Sequence, residues 1–175
     1  MMTFRAPSAC FPDAFLAASV IVGESASEVG LVRGLDQYWT AHDYESISAL
    51  GVSLVDCGGG DADRVFKRAA AFQALRYRTA IVRDDDLKPT EAVEAAFTAG
   101  GGKVIAWRNG RALEDELFIS LTDDGVDELI DRAIELQGND LVNEHIKSAS
   151  GNAKDVAAIQ NESVIDGISV ESRKI

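Results

Sequence analysis

Residues 17–24 read AASVIVGE, and this short run decides the fold. Val20, Ile21 and Val22 follow one another, and β-branched side chains fit the pleated, covered surface of a sheet better than a helix. The run is too short for a typical helix and stops at Gly23 and Glu24, so it predicts a buried strand. A strand that is apolar in both directions needs cover on both faces, and parallel sheets sandwiched between helices provide it.

Working outward, the pattern changes period. From Ser27, the residues Leu31, Val32, Leu35, Tyr38 and Trp39 recur at three- and four-residue intervals as one apolar stripe, which predicts a helix capped by Ser25 or Ser27. Residues 52–57 (VSLVDC) predict a second strand, closed by Gly58, Gly59 and Gly60. A helix follows, capped by Asp61 or Asp63 and carrying Val65, Phe66, Ala69, Ala70 and Phe72 or Gln73. Residues 79–83 (TAIVR) predict a third strand running into Asp84, Asp85 and Asp86. Pro89 and Thr90 then open a short helix that ends at Gly100–Gly102. Residues 103–107 (KVIAW) predict a fourth strand. Strands alternating with helices give an α/β fold, here a central parallel sheet of about four strands with helices on both faces. Right-handed crossovers bring every C-terminal strand end to one edge, where open α/β sheets build their sites. Beyond Trp107 the chain reads as helical: residues 123–137 carry Val126, Leu129, Ile130, Ala133 and Ile134 as a stripe, and the pattern weakens after Gly138. We therefore expect one domain over residues 1–137 and a helical C-terminal extension, truncated in this chain, over 138–175.

Composition narrows the function. The chain has 175 residues, 46% hydrophobic and 26% charged, which is the makeup of a globular domain. No apolar run approaches the roughly 20 residues of a membrane span, and residues 1–13 lack the apolar segment of a signal peptide. A cytoplasmic protein is expected, with no membrane partner. Cys10 and Cys57 have neither zinc-finger nor disulfide-framework spacing, and His42 and His145 are the only histidines. The net charge of −12 predicts weak DNA binding by this chain alone, because phosphate contacts need a basic surface.

The acids are the feature to explain. Glu24 closes the first predicted strand, and Glu28, four residues on, points the same way if both lie at a helix start. Asp84 and Asp86 are two apart on extended backbone and so share a face. Glu114, in LEDELF, follows the fourth strand. Each has an ordinary alternative: a dipole partner at a helix N-terminus, a turn, a solvated surface acid. Carboxylates gathered on one edge repel unless a cation neutralises them, and hard oxygen donors suit Mg2+ or Mn2+. Two such ions about 4 Å apart activate water and stabilise the leaving oxygen in phosphodiester cleavage, with no histidine needed.

A strand ending in Glu, a second Glu four residues on, glycine after the second strand and DxD after the third resemble the TOPRIM domain. Residues 19–39 (SVIVGESASEVGLVRGLDQYW), 51–86 (GVSLVDCGGGDADRVFKRAAAFQALRYRTAIVRDDD) and 107–118 (WRNGRALEDELF) resemble the branch in OLD-family (overcoming lysogenization defect) ATP-dependent endonucleases. The resemblance covers residues 11–136. It implies a TOPRIM/Rossmann-like fold and a DNA endonuclease that nicks or cleaves with two Mg2+ or Mn2+ ions. It implies catalytic roles for Glu24, Asp84 and Asp86, and metal binding by Glu24, Glu28, Asp84, Asp86 and Glu114. It also implies a glycine near Gly59 that lets the backbone turn past the site. The implied partners are DNA, an ATPase domain or subunit and a second copy in a homodimer.

The sequence departs from that pattern in places. Ser25 stands where the family has glycine and Ala26 where it often has a basic residue, and neither Lys147 nor Lys154 matches the family's late lysine. No GxxxxGK[ST] loop is present, so ATP hydrolysis is not expected of this polypeptide, and the initial Met1–Met2 pair suits an excised or re-initiated fragment. Two other readings stand beside the nuclease. One is a receiver-like regulatory module that accepts phosphate at an aspartate; the other is a non-catalytic TOPRIM scaffold for assembly.

Overall fold

Val20 and Val22 are fully buried at the centre of the molecule's only sheet among the described residues, as an apolar run too short for a helix requires. The computed structural model describes residues 12–108 and 110–175. The strands are β1 (Ser19–Gly23), β2 (Val52–Asp56), β3 (Arg78–Arg83) and β4 (Lys103–Ala106). All pairings are parallel, in the order β2-β1-β3-β4. The expected α/β architecture is therefore the observed one, with β1 and β3 central and β2 and β4 at the edges.

Helices α1 (Ala26–Ala41), α2 (Ala62–Ala74) and α3 (Glu91–Ala99) make the crossovers. Helix α1 packs on β1 and β2, whereas α2 packs on β1, β3 and α3. Right-handed connections put α1 on one face and α2 with α3 on the other. The α2 face holds the main core: Val20, Val22, Val55 and Ile81 from the strands against Val65, Phe66 and Ala69. Phe97 of α3 closes it, edge-on to Phe66 with ring centroids 5.7 Å apart.

The α1 face is more thinly covered. Val29 and Val82 are buried there, and Leu31 and Val32 are half-buried, but Leu35, Tyr38 and Trp39 are exposed. The predicted stripe thus buries only its N-terminal half. Edge strand β4 is likewise open, with Ile105 about half exposed. At the other end α1 sits very close to the sheet. A Cβ on Gly23 would lie 2.7 Å from Val29 Cγ2, so glycine there lets the helix start against the strand end.

The chain divides into two compact units, the first ending at Gly110 and the second spanning Arg111–Ile175. That division falls earlier than residue 137, where the helical pattern weakens. The second unit contains α4 (Leu113–Ser120), α5 (Asp123–Gln137), α6 (Asn139–Ala149) and α7 (Val156–Ile165). Its own core joins Val126 and Ile130 to Val142, Val156, Ile159 and Ile168. Residues beyond Gly138 therefore complete a core, although their periodicity is weak. Among the described residues no helix is long and apolar enough to cross a membrane.

Candidate functional site

In the order β2-β1-β3-β4, the chain leaves β1 toward β2 on one side, and β3 lies on the other. The C-terminal ends of β1 and β3 therefore flank the topological switch point, where open α/β sheets form a crevice. Glu24 and Asp84 are the residues that follow those two strands.

Glu24 is fixed on three sides. Its backbone N–H donates to the Val82 carbonyl at 3.0 Å, and its own carbonyl accepts from Gly59 N–H at 2.9 Å. Its side-chain Oε2 accepts from the Asp84 N–H at 3.2 Å. Gly58, Gly59 and Gly60 all have positive φ (74°, 69° and 103°), which side chains resist, and this lets the loop after β2 fold back onto Glu24. Burial raises the Glu24 pKa above its usual value. The Asp84 hydrogen bond opposes that rise, and the charges of Asp84, Glu28 and Asp86 add to it. Four carboxylates thus share one electrostatic neighbourhood, three of them pushing protons onto the fourth.

Glu28 is almost fully buried, and its Oε2 accepts from the Ser25 N–H at 2.6 Å. Ser25 Oγ in turn accepts from Ser27 N–H at 3.2 Å, forming the capping box of α1. The four-residue spacing does bring Glu28 near Glu24, but one of its oxygens is engaged in holding the helix start. Ser25, where the resemblance calls for glycine, serves as that N-cap.

The aspartate run leaves β3 in a bend, and its three residues differ in burial. Asp84 is half-buried, Asp85 buried and Asp86 exposed. Asp86 Oδ1 accepts from Leu87 N–H at 2.7 Å. The middle residue, which spacing alone did not single out, has a separate role. Asp85 pairs with Lys88, accepts from Gly110 N–H at 2.8 Å through Oδ2, and lies 3.4 Å from Arg83 Nη1. The hydrogen bond from Lys88, then that from Gly110, hold its pKa below the usual value. Arg83 is also buried. Its Nη1 donates to the Asp84 carbonyl at 2.5 Å and its Nη2 lies 3.5 Å from Glu94, while its Nε is buried without a partner among the described residues. The signal in sequence was a charge, Arg83, closing the apolar run of residues 80–82 in β3. Together Arg83 and Asp85 pin the loop that carries Asp84 and Asp86.

Cys57 is buried beside this edge. Desolvation raises its thiol pKa despite Arg68 and Arg64, so it is a poor nucleophile. Cys10 lies outside the described residues. Glu114 belongs to the second unit, exposed in the first turn of α4. Lys154 is committed within that unit to Glu162, Ser169 and Ser172, and the bonds from Lys154 and Ser172 pull the Glu162 pKa down to about 2.

Glu24, Asp84 and Asp86 offer a hard-oxygen donor set with surplus negative charge, which fits Mg2+ or Mn2+ in type. As the side chains stand, no three His, Cys, Asp or Glu groups among the described residues close around one point. Searches against protein-family models, curated proteins and solved structures found no match to the chain.

Proposed function

We propose that the first unit is the catalytic half of a divalent-cation-dependent DNA endonuclease of TOPRIM type, with Glu24, Asp84 and Asp86 as its working acids. The observation that carries this reading is Glu24 itself: a carboxylate at the switch point, hydrogen-bonded to the Asp84 amide and pushed toward protonation by burial and like charge. Mg2+ or Mn2+ bound by these residues would neutralise charge at the scissile phosphate and make bound water a stronger nucleophile. Glu24 is suited to accept a proton from that water, since its proton affinity is raised while its position is fixed through Oε2. Asp84 and Asp86 would hold the cation, on a loop anchored by Arg83 and Asp85. Glu28 supports the cluster through the start of α1. Glu114 is assigned a further metal-binding role by resemblance alone. DNA affinity would come from an ATPase partner or a second copy, because the chain's charge of −12 opposes it.

The test is nicking of supercoiled plasmid in Mn2+ by the chain and by Glu24→Ala. Loss of cleavage in the variant is expected; equal cleavage by both removes the assignment.

The strand order supports one competing reading, since receiver-type modules share the 2-1-3-4 arrangement. Asp84, following β3, would be the phosphate acceptor there. Labelling of Asp84 by acetyl phosphate, abolished by Asp84→Asn, would favour that module over the nuclease.

A further inference from the structure

Helix α1 ends in an aromatic cleft that the carboxylate site does not use. Tyr38, Trp39, His42, Tyr44, Glu45 and Leu50 line an open groove of about 950 Å³. Tyr38, Tyr44 and Leu50 are each more than half exposed, and Trp39 is 39% exposed. Grouped aromatic exposure of this kind is unusual on a monomer surface, where apolar residues are normally scattered. Tyr and Trp are also the residues that dominate binding hot spots.

The cleft is held open by local bonds. The Trp39 carbonyl accepts from both His42 N–H (2.9 Å) and Tyr44 N–H (3.0 Å), folding the chain back at the helix end. The Tyr38 and His42 rings lie 4.1 Å apart, and His42 Nδ1 is 2.7 Å from the Tyr38 carbonyl. Asp36 Oδ1 accepts from Ile47 N–H at 2.7 Å, tying down the far side of the loop. These bonds fix the turn that carries Tyr44 and Glu45 beside the end of α1.

Charge identifies the occupant. Residues 34–51, which form the end of α1 and the loop around the cleft, contain three acids (Asp36, Asp43 and Glu45) and no lysine or arginine. A nucleic acid would be repelled, and a second copy would bring its own net charge of −12 and the same acidic segment. A cation is favoured twice over, by the acids and by the π faces of Tyr38, Trp39 and Tyr44. We propose that this cleft is a docking site for a basic peptide segment of a partner protein, with arginine side chains laid on the aromatic rings and Glu45 at the rim.

The test uses the full chain and an octapeptide of alternating arginine and glycine, titrated by calorimetry and followed by tryptophan emission at low and moderate salt. Its glutamate-glycine counterpart is the control. Saturable binding of the arginine peptide alone is expected, weakening with salt. Tyr44→Ala and Trp39→Ala should each weaken it about fivefold, the factor equivalent to a contact of about 1 kcal/mol. Glu45→Gln should weaken it less, and Glu144→Gln, an exposed acid of the second unit, should leave it unchanged. Circular dichroism confirms that each variant folds, and the exposure of Tyr44 makes its truncation compatible with folding. The proposal is overturned by absence of saturable binding, by equal binding to the aromatic variants, or by a dimer in sedimentation that Tyr44→Ala dissolves.

Discussion

Asp85→Ala should destabilise the first unit by about 3 kcal/mol, although Asp85 is the one aspartate of its run not assigned to the chemistry. The magnitude follows from what its carboxylate holds. Arg83 has a side chain only 4% exposed, and Asp85 lies 3.4 Å from it. Stripping one partner from a fully buried pair costs roughly 3–5 kcal/mol. Glu94 at 3.5 Å and the Asp84 carbonyl remain with Arg83, so about 2 kcal/mol is the better figure for that part. The Gly110 N–H also loses its acceptor, adding about 1 kcal/mol. Lys88 adds little, since its side chain is 63% exposed. In urea, with a slope of about 2 kcal/mol/M, the midpoint should fall by about 1.5 M.

The chain has two tryptophans, Trp39 and Trp107, and both lie in the first unit, so fluorescence follows that unit separately. Asp85→Asn keeps an acceptor for Gly110 and should lose only about 2 kcal/mol. Arg83→Met combined with Asp85→Ala should cost less than the sum of the single changes, because the stranded cation is gone. The pH dependence has a defined sign. With its folded pKa below the ordinary 3.8, Asp85 contributes stability that is present above that value and lost as the pH falls through it. A midpoint shift under about 0.3 M in Asp85→Ala, or strict additivity with Arg83→Met, would refute the clamp.

Glu24 should behave in the opposite way. Its folded pKa is raised, so its charge is a liability that grows as the pH rises past 4.5; Glu24→Gln should melt higher than the parent at pH 7 and equally at pH 4. Millimolar Mg2+ should raise the melting temperature of the parent and not of Glu24→Gln, and an equal response by both would separate Glu24 from the cation. Gly59→Ala should cost about 1 kcal/mol in urea unfolding, from its φ of 69° alone, because a Cβ there meets nothing within 4 Å. Lys154→Met should weaken the second unit, measured by helical circular dichroism, at pH 7 and progressively less as the pH falls from about 4.5 toward 2, where Glu162 itself protonates.

The sheet was legible because its strands are short β-branched runs closed by glycine or acid, and such runs have few other solutions. The site edge followed from topology: once strands and helices alternate, Glu24 and Asp84 must end up on the same rim. What the sequence concealed was how each acid is spent. Glu24 and Glu28 are the same letter four residues apart, yet Glu28 is drawn into a helix cap by Ser25 and Glu24 accepts from the Asp84 amide at a neighbouring strand end. Asp85 was hidden because its partners, Arg83 aside, come from a loop turn and from Gly110, 25 residues away. The second core was hidden for a related reason. Val142, Val156, Ile159 and Ile168 are spread over two short helices and a loop, too sparse for a period to register.

Glu24 is an acid of this edge whose surroundings oppose its charge. Glu28 stabilises the start of α1, Asp85 locks two loops, and Asp86 accepts from the adjacent backbone. These placements favour the folded state. Glu24 differs: the Asp84 N–H only partly offsets its burial, and three neighbouring carboxylates raise its energy further. A glutamine would keep an acceptor for that N–H without the repulsion, so packing gives no reason for a carboxylate here. Proteins keep such unfavourable charges mainly where a bound cation or a transferred proton turns the repulsion into binding or reactivity. The Mg2+-dependent shift in melting temperature reads Glu24 directly, and is therefore a sharper first measurement than cleavage.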